Sequence, residues 1–263
     1  MLRVFFFIPL FFFVVKSHRL RTSVFRMMFL KSYGVSAVWF VILKSMSTID
    51  LTPLLKSPRL PEFVAALNER LQTEHTAREN FYDEMTDGEK VEFIEGEKIM
   101  HSPARDEHLV VKLNLATLLM TFVRDRGLGE VRDEKCLCVF PRNDYEPDIV
   151  FFGLEKSACI QPKMMKFPIP DFVVEILSES TERRDRGVKF EDFEAHGVSE
   201  YWIVDAETEI VEQYVVENGV FRLLLKSGSG DIVSRNVAGF QIPIRAIFDP
   251  TENLLTLKML LKS

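Results

Sequence analysis

The sequence predicts a mixed α/β (α+β) fold, in which a mixed central sheet is flanked by helices. Helical segments alternate along the chain with short runs of β-branched and aromatic residues, which are typical of buried strands. Two of these runs begin with Pro-Asp: "PDIVFFG" at residues 147–153 and "PDFVVEILSES" at residues 170–180. Glu175 interrupts the second run, so this strand is expected to place a carboxylate among apolar neighbours.

The predicted elements follow one another in the order helix, hairpin, helix, strands, helix, strand, hairpin. Helices are predicted at residues 61–85 (one helix or two), 106–126 and 181–196. Strands are predicted at residues 90–102 (two strands), 129–140, 147–152, 171–177, 200–206 and 209–225 (a hairpin). The tail, residues 231–263, is expected to be mixed and β-rich.

The segment at residues 106–126 has the clearest helical signal. Acidic residues stand at its start, Gly127 follows its end, and apolar residues recur at steps of three and four. The residues that predict its buried face are Leu109, Leu113, Ala116, Leu119 and Val123.

Two glycines mark the turns of predicted hairpins. Glu95-Gly96 separates the first pair of strands, and Asn218-Gly219 supplies the positive φ angles of a tight primed turn within residues 209–225. The second hairpin is expected to be a C-terminal extension of the central sheet.

The first 45 residues differ in composition from the rest of the chain. They contain none of the 39 acidic residues, seven of the 33 basic residues and nine of the 23 phenylalanines. The run "VFFFIPLFFFVV" at residues 4–15 has the length of a signal-peptide hydrophobic region but is shorter than the ~20 residues of a membrane span, and no small-residue cleavage site follows it.

Three interpretations of residues 1–45 remain open: a signal or membrane anchor, a structured extension, or a start codon assigned upstream of the true one. We favour the last, because the composition becomes ordinary from Met46 onward. Residues 46–263 are then expected to form a single domain with its core at about residues 61–226.

The charge of residues 46–263 restricts the functions that the sequence supports. Removing seven of the 33 basic residues leaves 26 against 39 acidic ones, a net charge of −13. Such a charge disfavours a broad surface for phosphate backbones, so any nucleic-acid site must depend on local basic patches or bound cations.

The three cysteines, Cys136, Cys138 and Cys159, lack the four-ligand pattern of a structural zinc site. They are expected to be unpaired thiols in a reducing compartment, with ligation of a metal by sulfur as the alternative. We therefore expect a cytoplasmic protein, and the alternative is membrane association or export through residues 1–45.

Glu175 requires compensation if its strand is buried. Alternation along the strand puts Asp171, Val173 and Glu175 on one face, and an ionised carboxylate buried there needs a base or a cation beside it. A hard divalent cation, held by two carboxylates and water, is one solution. The other is an ion pair with Arg183, Arg184, Arg186 or Lys189.

Asp148 is the preferred second carboxylate. Asp171 shares a face with Glu175 but lies four residues away, ~13 Å along a strand, whereas oxygens that share an ion must each lie about 2 Å from it. Asp148 opens a different strand, which can lie beside Glu175. Lys189 is the candidate for positioning or deprotonating water, and its alternative is a surface pair with Asp185 at i, i+4.

The longest informative stretch, "PDFVVEILSESTERRDRGVKFEDFEAHGVSEYWIVDAE", together with "EPDIVFFG" and "VEFIEGEKIMHSPARDEH" upstream, resembles the Uma-two family of restriction-type endonucleases. This family is a branch of the PD-(D/E)XK nuclease superfamily. The resemblance is good from about Gly88 to Asp205, looser from Pro61 and in the tail, and absent before Met46. It implies a restriction-endonuclease-like mixed central sheet flanked by helices.

The resemblance implies that Asp148 is the motif aspartate and Glu175 the motif acid, with 26 residues between them. Leu177 stands where the superfamily usually has lysine. The family is thought to supply its lysine from the following helix, and Lys189 matches that position.

Glu92 and His108 match family positions near the site. The resemblance implies accessory roles for both, including an additional metal-shell oxygen from Glu92. The alternatives are a surface charge on the hairpin for Glu92 and an ordinary helix-start histidine for His108.

The activity implied is that of an Mg²⁺-dependent endodeoxyribonuclease, a hydrolase acting on ester bonds of DNA, with Mn²⁺ as a substitute ion. Three arginines in "TERRDR" are candidates for contacts with the DNA backbone: Arg183, Arg184 and Arg186. A homodimer would suit a nuclease that cuts both strands, and residues 200–225 offer a sheet edge for it, with a solvated hairpin as the alternative. No stable membrane partner is expected if translation starts at Met46.

A different class of function is a catalytically inactive nuclease-fold scaffold that binds DNA or protein, with its acids neutralised by arginines. The net charge of −13 on residues 46–263 favours this scaffold. The presence of Asp148, Glu175 and Lys189 together favours the nuclease.

Overall fold

The computed structural model describes residues 50–86 and 88–262, so the predictions for residues 1–45 lie outside the described part. From Leu54 onward, the described chain belongs to one compact unit. The helices of the described chain are α1 (Thr52–Leu55), α2 (Leu60–Glu84), α3 (Asp106–Arg126), α4 (Leu154–Ser157), α5 (Glu182–Asp185), α6 (Val188–Ala195), α7 (Arg245–Phe248) and α8 (Pro250–Leu260). Its strands are β1 (Val91–Ile94), β2 (Glu97–Met100), β3 (Gly129–Asp133), β4 (Leu137–Val139), β5 (Asp144–Tyr145), β6 (Ile149–Gly153), β7 (Lys166–Phe167), β8 (Phe172–Ile176), β9 (Glu200–Asp205), β10 (Ile210–Glu217), β11 (Val220–Ser227), β12 (Asp231–Val233) and β13 (Gln241–Pro243).

A six-stranded sheet in the order β11-β10-β9-β8-β6-β3 forms the centre of the fold. β8 and β9 run parallel and the other neighbours run antiparallel, so the sheet is mixed, as predicted. One face packs against α3 and the C-terminal tail, and the other packs against α6 and a second sheet. Because β8 is covered on both faces, its run of apolar residues is continuous except at Glu175.

The second sheet has five strands in the order β2-β1-β5-β4-β7. Its β1–β2 hairpin turns at Glu95 and Gly96, whose φ angles are 53° and 91°. The β10–β11 hairpin turns at Asn218 and Gly219, with φ angles of 55° and 79°. Both predicted turns are therefore confirmed, and β11 forms an edge of the six-stranded sheet.

The prediction of a single strand over residues 129–140 is wrong. β3 pairs with β6 in the central sheet, whereas β4 pairs with β5 and β7 in the second sheet. Between them, Glu134 and Lys135 adopt left-handed φ angles of 36° and 54°. This turn redirects the chain from one sheet to the other, although neither residue type favours the conformation.

The predicted helix at residues 181–196 is two helices, α5 and α6, separated at Gly187. A Cβ atom at this position would lie 2.7 Å from the carbonyl oxygen of Arg183, closer than side chains approach a backbone oxygen. Glycine therefore permits the close junction that sets the direction of α6.

Helix α3 is confirmed, and it ends in a left-handed Gly127. The predicted buried face is partly wrong, because Leu109 is 42% exposed and Leu113 is 65% exposed. The apolar residues that are buried instead, beside the predicted Ala116, Leu119 and Val123, are Val111, Leu115, Leu118 and Phe122. The helix is apolar on more than one side, so spacing alone does not select the stripe that packs on the sheet.

The expectation of a β-rich tail is wrong for its last part, which is the helix α8. Asp249 caps it, since its Oδ1 accepts the backbone N–H groups of Thr251 at 2.7 Å and Glu252 at 3.2 Å. Pro250 occupies the first turn. These are ordinary helix-start residues, so the sequence contained this signal.

Glu200, the first residue of β9, ties the tail to the central sheet. Its buried carboxylate accepts five hydrogen bonds. The donors are the Trp202 indole (2.7 Å), the Gln213 amide (2.7 Å), the Ser234 hydroxyl (2.7 Å) and the backbone N–H groups of Arg235 (2.9 Å) and Asn236 (2.8 Å). The segment at residues 234–236 is thereby fixed to the strand beside β8.

The three cysteines are unpaired, as predicted, with Cys136 and Cys138 buried and Cys159 exposed. Within residues 50–86 and 88–262, no helix combines the length and the apolar character needed to cross a membrane.

Candidate functional site

Asp148 and Glu175 meet across the antiparallel pair of β6 and β8. Ile149 pairs with Val174, which places Asp148, one residue before β6, opposite Glu175. The backbone nitrogen of Asp148 lies 3.4 Å from Oε2 of Glu175. The backbone N–H of Ile176 donates to Oδ2 of Asp148 at 2.9 Å. The structure therefore brings the two acids together from separate strands.

The second Pro-Asp sequence lies at the other end of the same strand pair, because β6 and β8 are antiparallel. Oδ2 of Asp171 accepts the backbone N–H of Gly153 at 2.8 Å, and its Oδ1 lies 2.7 Å from the ammonium of Lys156. Asp171 thus stabilises the far end of the pair, away from Glu175, as expected.

Lys189 reaches the same point from α6. Its Nζ lies 2.9 Å from Oε1 of Glu175, 2.9 Å from Oε1 of Glu92 and 3.2 Å from Oδ1 of Asp185. Its side chain is 1% exposed. The predicted i, i+4 pair with Asp185 exists but is buried rather than on the surface, and the predicted ion pair with Glu175 exists as well.

Glu92 and His108 both lie at this cluster. Oε2 of Glu92 is 3.0 Å from Nε2 of His101, while its Oε1 contacts Lys189. Nε2 of His108 is 3.4 Å from Oδ1 of Asp148. Glu92 therefore holds the lysine in place, and His108 flanks the aspartate.

Three further residues of the cluster were not predicted from the sequence: Lys90, His101 and Glu146. Asp185 was predicted only as a surface partner of Lys189. Nζ of Lys90 lies 3.0 Å from Oδ1 of Asp148. The backbone N–H of His101 donates to the carbonyl oxygen of Lys90 at 3.2 Å, so these residues face each other across the hairpin. Lys90 is two residues before Glu92 and shares its face. The alternation along the strand would have identified Lys90, and the predicted hairpin turn would have placed His101 opposite it.

The three arginines predicted to contact DNA lie in or just after α5. Arg183 is exposed and Arg184 is half-buried. The guanidinium of Arg186 donates to both carboxylate oxygens of Glu212, at 2.9 Å and 3.1 Å, and to Glu182 at 2.9 Å. Arg186 is therefore engaged within the protein, whereas Arg183 faces solvent.

The two acids that face each other differ in their pKa. Burial opposes ionisation of Asp148, but the neighbouring His108 and Lys90 and the N–H of Ile176 outweigh it and hold the pKa of Asp148 below its usual range. Burial raises the pKa of Glu175 well above its ordinary value, and the attraction of Lys189 does not fully offset this effect.

Glu146 stands two residues before Asp148 and accepts the backbone N–H of Val91 at 3.0 Å. Burial raises the pKa of Glu146 from 4.5 to about 7. Because the folded chain binds this proton more tightly than the unfolded chain, the resulting stability is complete below pH 4.5 and is lost as the pH rises through 7.

We expect Glu146→Gln, which mimics the protonated form, to match the wild type near pH 4.5. At pH 8 its free energy of unfolding should exceed that of the wild type by roughly 3 kcal/mol. Urea unfolding at the two pH values measures this difference. An equal effect of the substitution at both pH values would contradict the prediction.

The carboxylate oxygens of Asp148 and Glu175 are suitable ligands for a hard divalent cation. Among the residues that the structure describes, no three His, Cys, Asp or Glu side chains are arranged to enclose a metal ion. Mg²⁺ is bound through one or two carboxylates and keeps several waters, so a facing pair suffices for it. A structural zinc ion requires a fuller set of protein ligands.

A solved structure from Anabaena variabilis ATCC 29413, described as a "putative nuclease belonging to DUF820", has a similar fold. The similarity covers 66% of this chain and 96% of that chain, with a TM-score of 0.56 and 17% sequence identity. The two chains therefore share a fold. The chain belongs to the Uma2 family, described as "putative restriction endonuclease", whose model matches residues 78–245. No curated protein matches the chain.

These comparisons confirm the predicted family and the predicted restriction-endonuclease-like fold. The roles of Asp148, Glu175 and Lys189, and those of the accessory residues and arginines, stay predictions.

Proposed function

We propose that the protein is a metal-dependent endonuclease that hydrolyses phosphodiester bonds of DNA. The observation that carries this proposal is the meeting of Asp148 and Glu175 across β6 and β8, with the ammonium of Lys189 2.9 Å from Glu175. Membership of the Uma2 family, and the fold shared with a protein described as a putative nuclease, support the same activity.

Asp148 and Glu175 would hold a Mg²⁺ ion, or Mn²⁺ in its place. A bound divalent cation supplies Lewis-acid polarisation of the scissile phosphate and makes water more acidic. The two carboxylates contribute a fixed position for it, since the ladder between β6 and β8 sets their spacing.

Lys189 acts in this proposal as a positioned cation rather than as a proton acceptor. Burial alone would lower its pKa, but Glu175, Glu92 and Asp185 outweigh that effect and raise the pKa well above its ordinary value. The lysine therefore stays protonated at neutral pH. A fixed ammonium beside the phosphate stabilises the negative charge that develops there during hydrolysis.

The substrate would have to approach an acidic protein, since residues 46–263 carry a net charge of −13. The exposed Arg183, close in sequence to the buried Asp185 and Lys189, is suited to contact the DNA backbone. A homodimer that pairs through the β11 edge would place two sites on one duplex.

The test of the proposed function compares the wild type with Glu175→Ala and with Glu179→Ala, whose side chain is 89% exposed and pairs only loosely with Arg105 at 3.3 Å. Millimolar Mn²⁺ should raise the melting temperature of the wild type and of Glu179→Ala, because the ion binds the folded form. It should not raise that of Glu175→Ala. In the presence of Mg²⁺, the wild type and Glu179→Ala should nick supercoiled plasmid. Glu175→Ala should nick it about 10³-fold more slowly.

The scaffold without catalysis remains the second candidate, because both acids already have a basic partner. Lys90 contacts Asp148 and Lys189 contacts Glu175, so the folded chain does not require an ion to neutralise them. Intact plasmid combined with no stabilisation by Mn²⁺ would support this candidate against the nuclease.

A further inference from the structure

Lys90 contacts the carboxylate oxygen that a cation would need. Its Nζ lies 3.0 Å from Oδ1 of Asp148, and Nε2 of His108 lies 3.4 Å from the same atom. The other oxygen of Asp148 accepts the backbone N–H of Ile176 at 2.9 Å. Both oxygens of Asp148 therefore have a partner within the protein.

An ammonium group and a divalent cation compete for Oδ1. A cation ligated by this oxygen would lie about 2 Å from it. The ammonium of Lys90, which lies 3.0 Å from the same oxygen, would then repel the cation at close range. One of the two has to move away when the other binds.

Lys90 is the lysine of the cluster that can move. Its side chain is 17% exposed, and Asp148 is the carboxylate in contact with its ammonium. Lys189 is 1% exposed and is held by three carboxylates. A lysine side chain has a flexible four-carbon stem, so Lys90 can swing from Asp148 towards solvent without a change in the backbone.

We infer that a divalent cation displaces the ammonium of Lys90 from Oδ1 of Asp148, and that the displaced ammonium then binds a phosphate of the DNA substrate. This inference rests on the proposed function. The β1–β2 hairpin fixes the backbone of Lys90 at the edge of the site, because His101 donates to its carbonyl oxygen. The released ammonium therefore stays within reach of a phosphate bound near Asp148.

The test uses the full chain and the substitutions Lys90→Met and Lys98→Met. Lys98 lies on the same hairpin and pairs with the exposed Glu84, so it controls for the loss of one positive charge. Free Mn²⁺ is measured by electron paramagnetic resonance during titration. We expect Lys90→Met to bind Mn²⁺ about tenfold more tightly than the wild type, and Lys98→Met to bind it as the wild type does.

A second measurement addresses the phosphate. With Ca²⁺ in place of Mg²⁺ to prevent cleavage, Lys90→Met should bind a short DNA duplex about tenfold more weakly than the wild type and Lys98→Met do. Lys90→Gln, which can still donate a hydrogen bond to Asp148, provides a second variant if Lys90→Met does not fold. It should bind Mn²⁺ more tightly than the wild type as well.

Unchanged or weaker Mn²⁺ binding by a folded Lys90 variant would overturn the inference, since a purely structural partner of Asp148 would give that result. Unchanged DNA affinity would overturn its second half. If the wild type itself binds no Mn²⁺, the proposed function fails instead, and the two failures are thereby distinguished.

Discussion

Replacing Lys189 with methionine is expected to lower the free energy of unfolding at pH 8 by about 3–5 kcal/mol. The ammonium of Lys189 is buried and lies 2.9–3.2 Å from carboxylate oxygens of Glu175, Glu92 and Asp185. Without it, these three acids are buried together without a shared positive charge. The loss should be smaller at pH 5, where protonation removes part of their mutual repulsion. Urea unfolding at the two pH values measures both effects.

Lys112→Met is the matched control for this substitution. Lys112 is also a mostly buried lysine, but its partner Glu134, at 2.8 Å, is 48% exposed. Solvent screens such a pair, so we expect a loss below about 1 kcal/mol. If Lys189→Met cost no more than this control at pH 8, the three carboxylates would not depend on the lysine as described.

Lys189→Met also separates the two candidate functions. Under the proposed nuclease activity, the folded variant should still bind Mn²⁺ through Asp148 and Glu175 while plasmid cleavage falls by about 10³-fold. Cleavage at the wild-type rate would show that the lysine does not act on the substrate.

The second large effect is expected for Glu200→Ala. We expect the free energy of unfolding to fall by about 3–5 kcal/mol, because the five donors around this carboxylate would lose their acceptor inside the protein. The tail at residues 234–236 would lose its attachment to β9. Urea unfolding followed by tryptophan fluorescence is a suitable measurement, since Trp202 is one of the donors.

Glu217→Ala serves as its control, because Glu217 is exposed at the end of β10. The control should change stability by less than about 0.5 kcal/mol. A similar small change for Glu200→Ala would mean that water replaces the lost acceptor and that the tail is held by its apolar contacts alone.

The meeting of Asp148 and Glu175 could be predicted from the sequence because it depends on local rules. Each acid lies at a fixed position in or just before a short apolar strand, and alternation fixes which face of the strand it occupies. Asp171 could be excluded as the partner of Glu175 because four residues along a strand span ~13 Å. Lys189, in contrast, was a candidate from the residues, but only the family resemblance favoured it over the surface pair that Asp185 and Lys189 alone suggest.

Other features depended on tertiary packing that no short window of sequence contains. The left-handed turn at Glu134 and Lys135 carries no Gly or Asn to mark it. The buried stripe of α3 was ambiguous because the helix is apolar on several sides. The role of Glu200 could not be anticipated, since three of its five donors come from Ser234, Arg235 and Asn236, more than 30 residues later in the chain.

The site lies where two sheets meet. Asp148 and Glu175 belong to the six-stranded sheet, while Lys90, Glu92 and His101 are carried by the hairpin at the edge of the five-stranded sheet. Substitutions in this hairpin can therefore accumulate without altering the spacing of the two acids, which the β6–β8 ladder sets independently. Related sequences can therefore differ in the length and composition of the hairpin turn while the two acids keep their register.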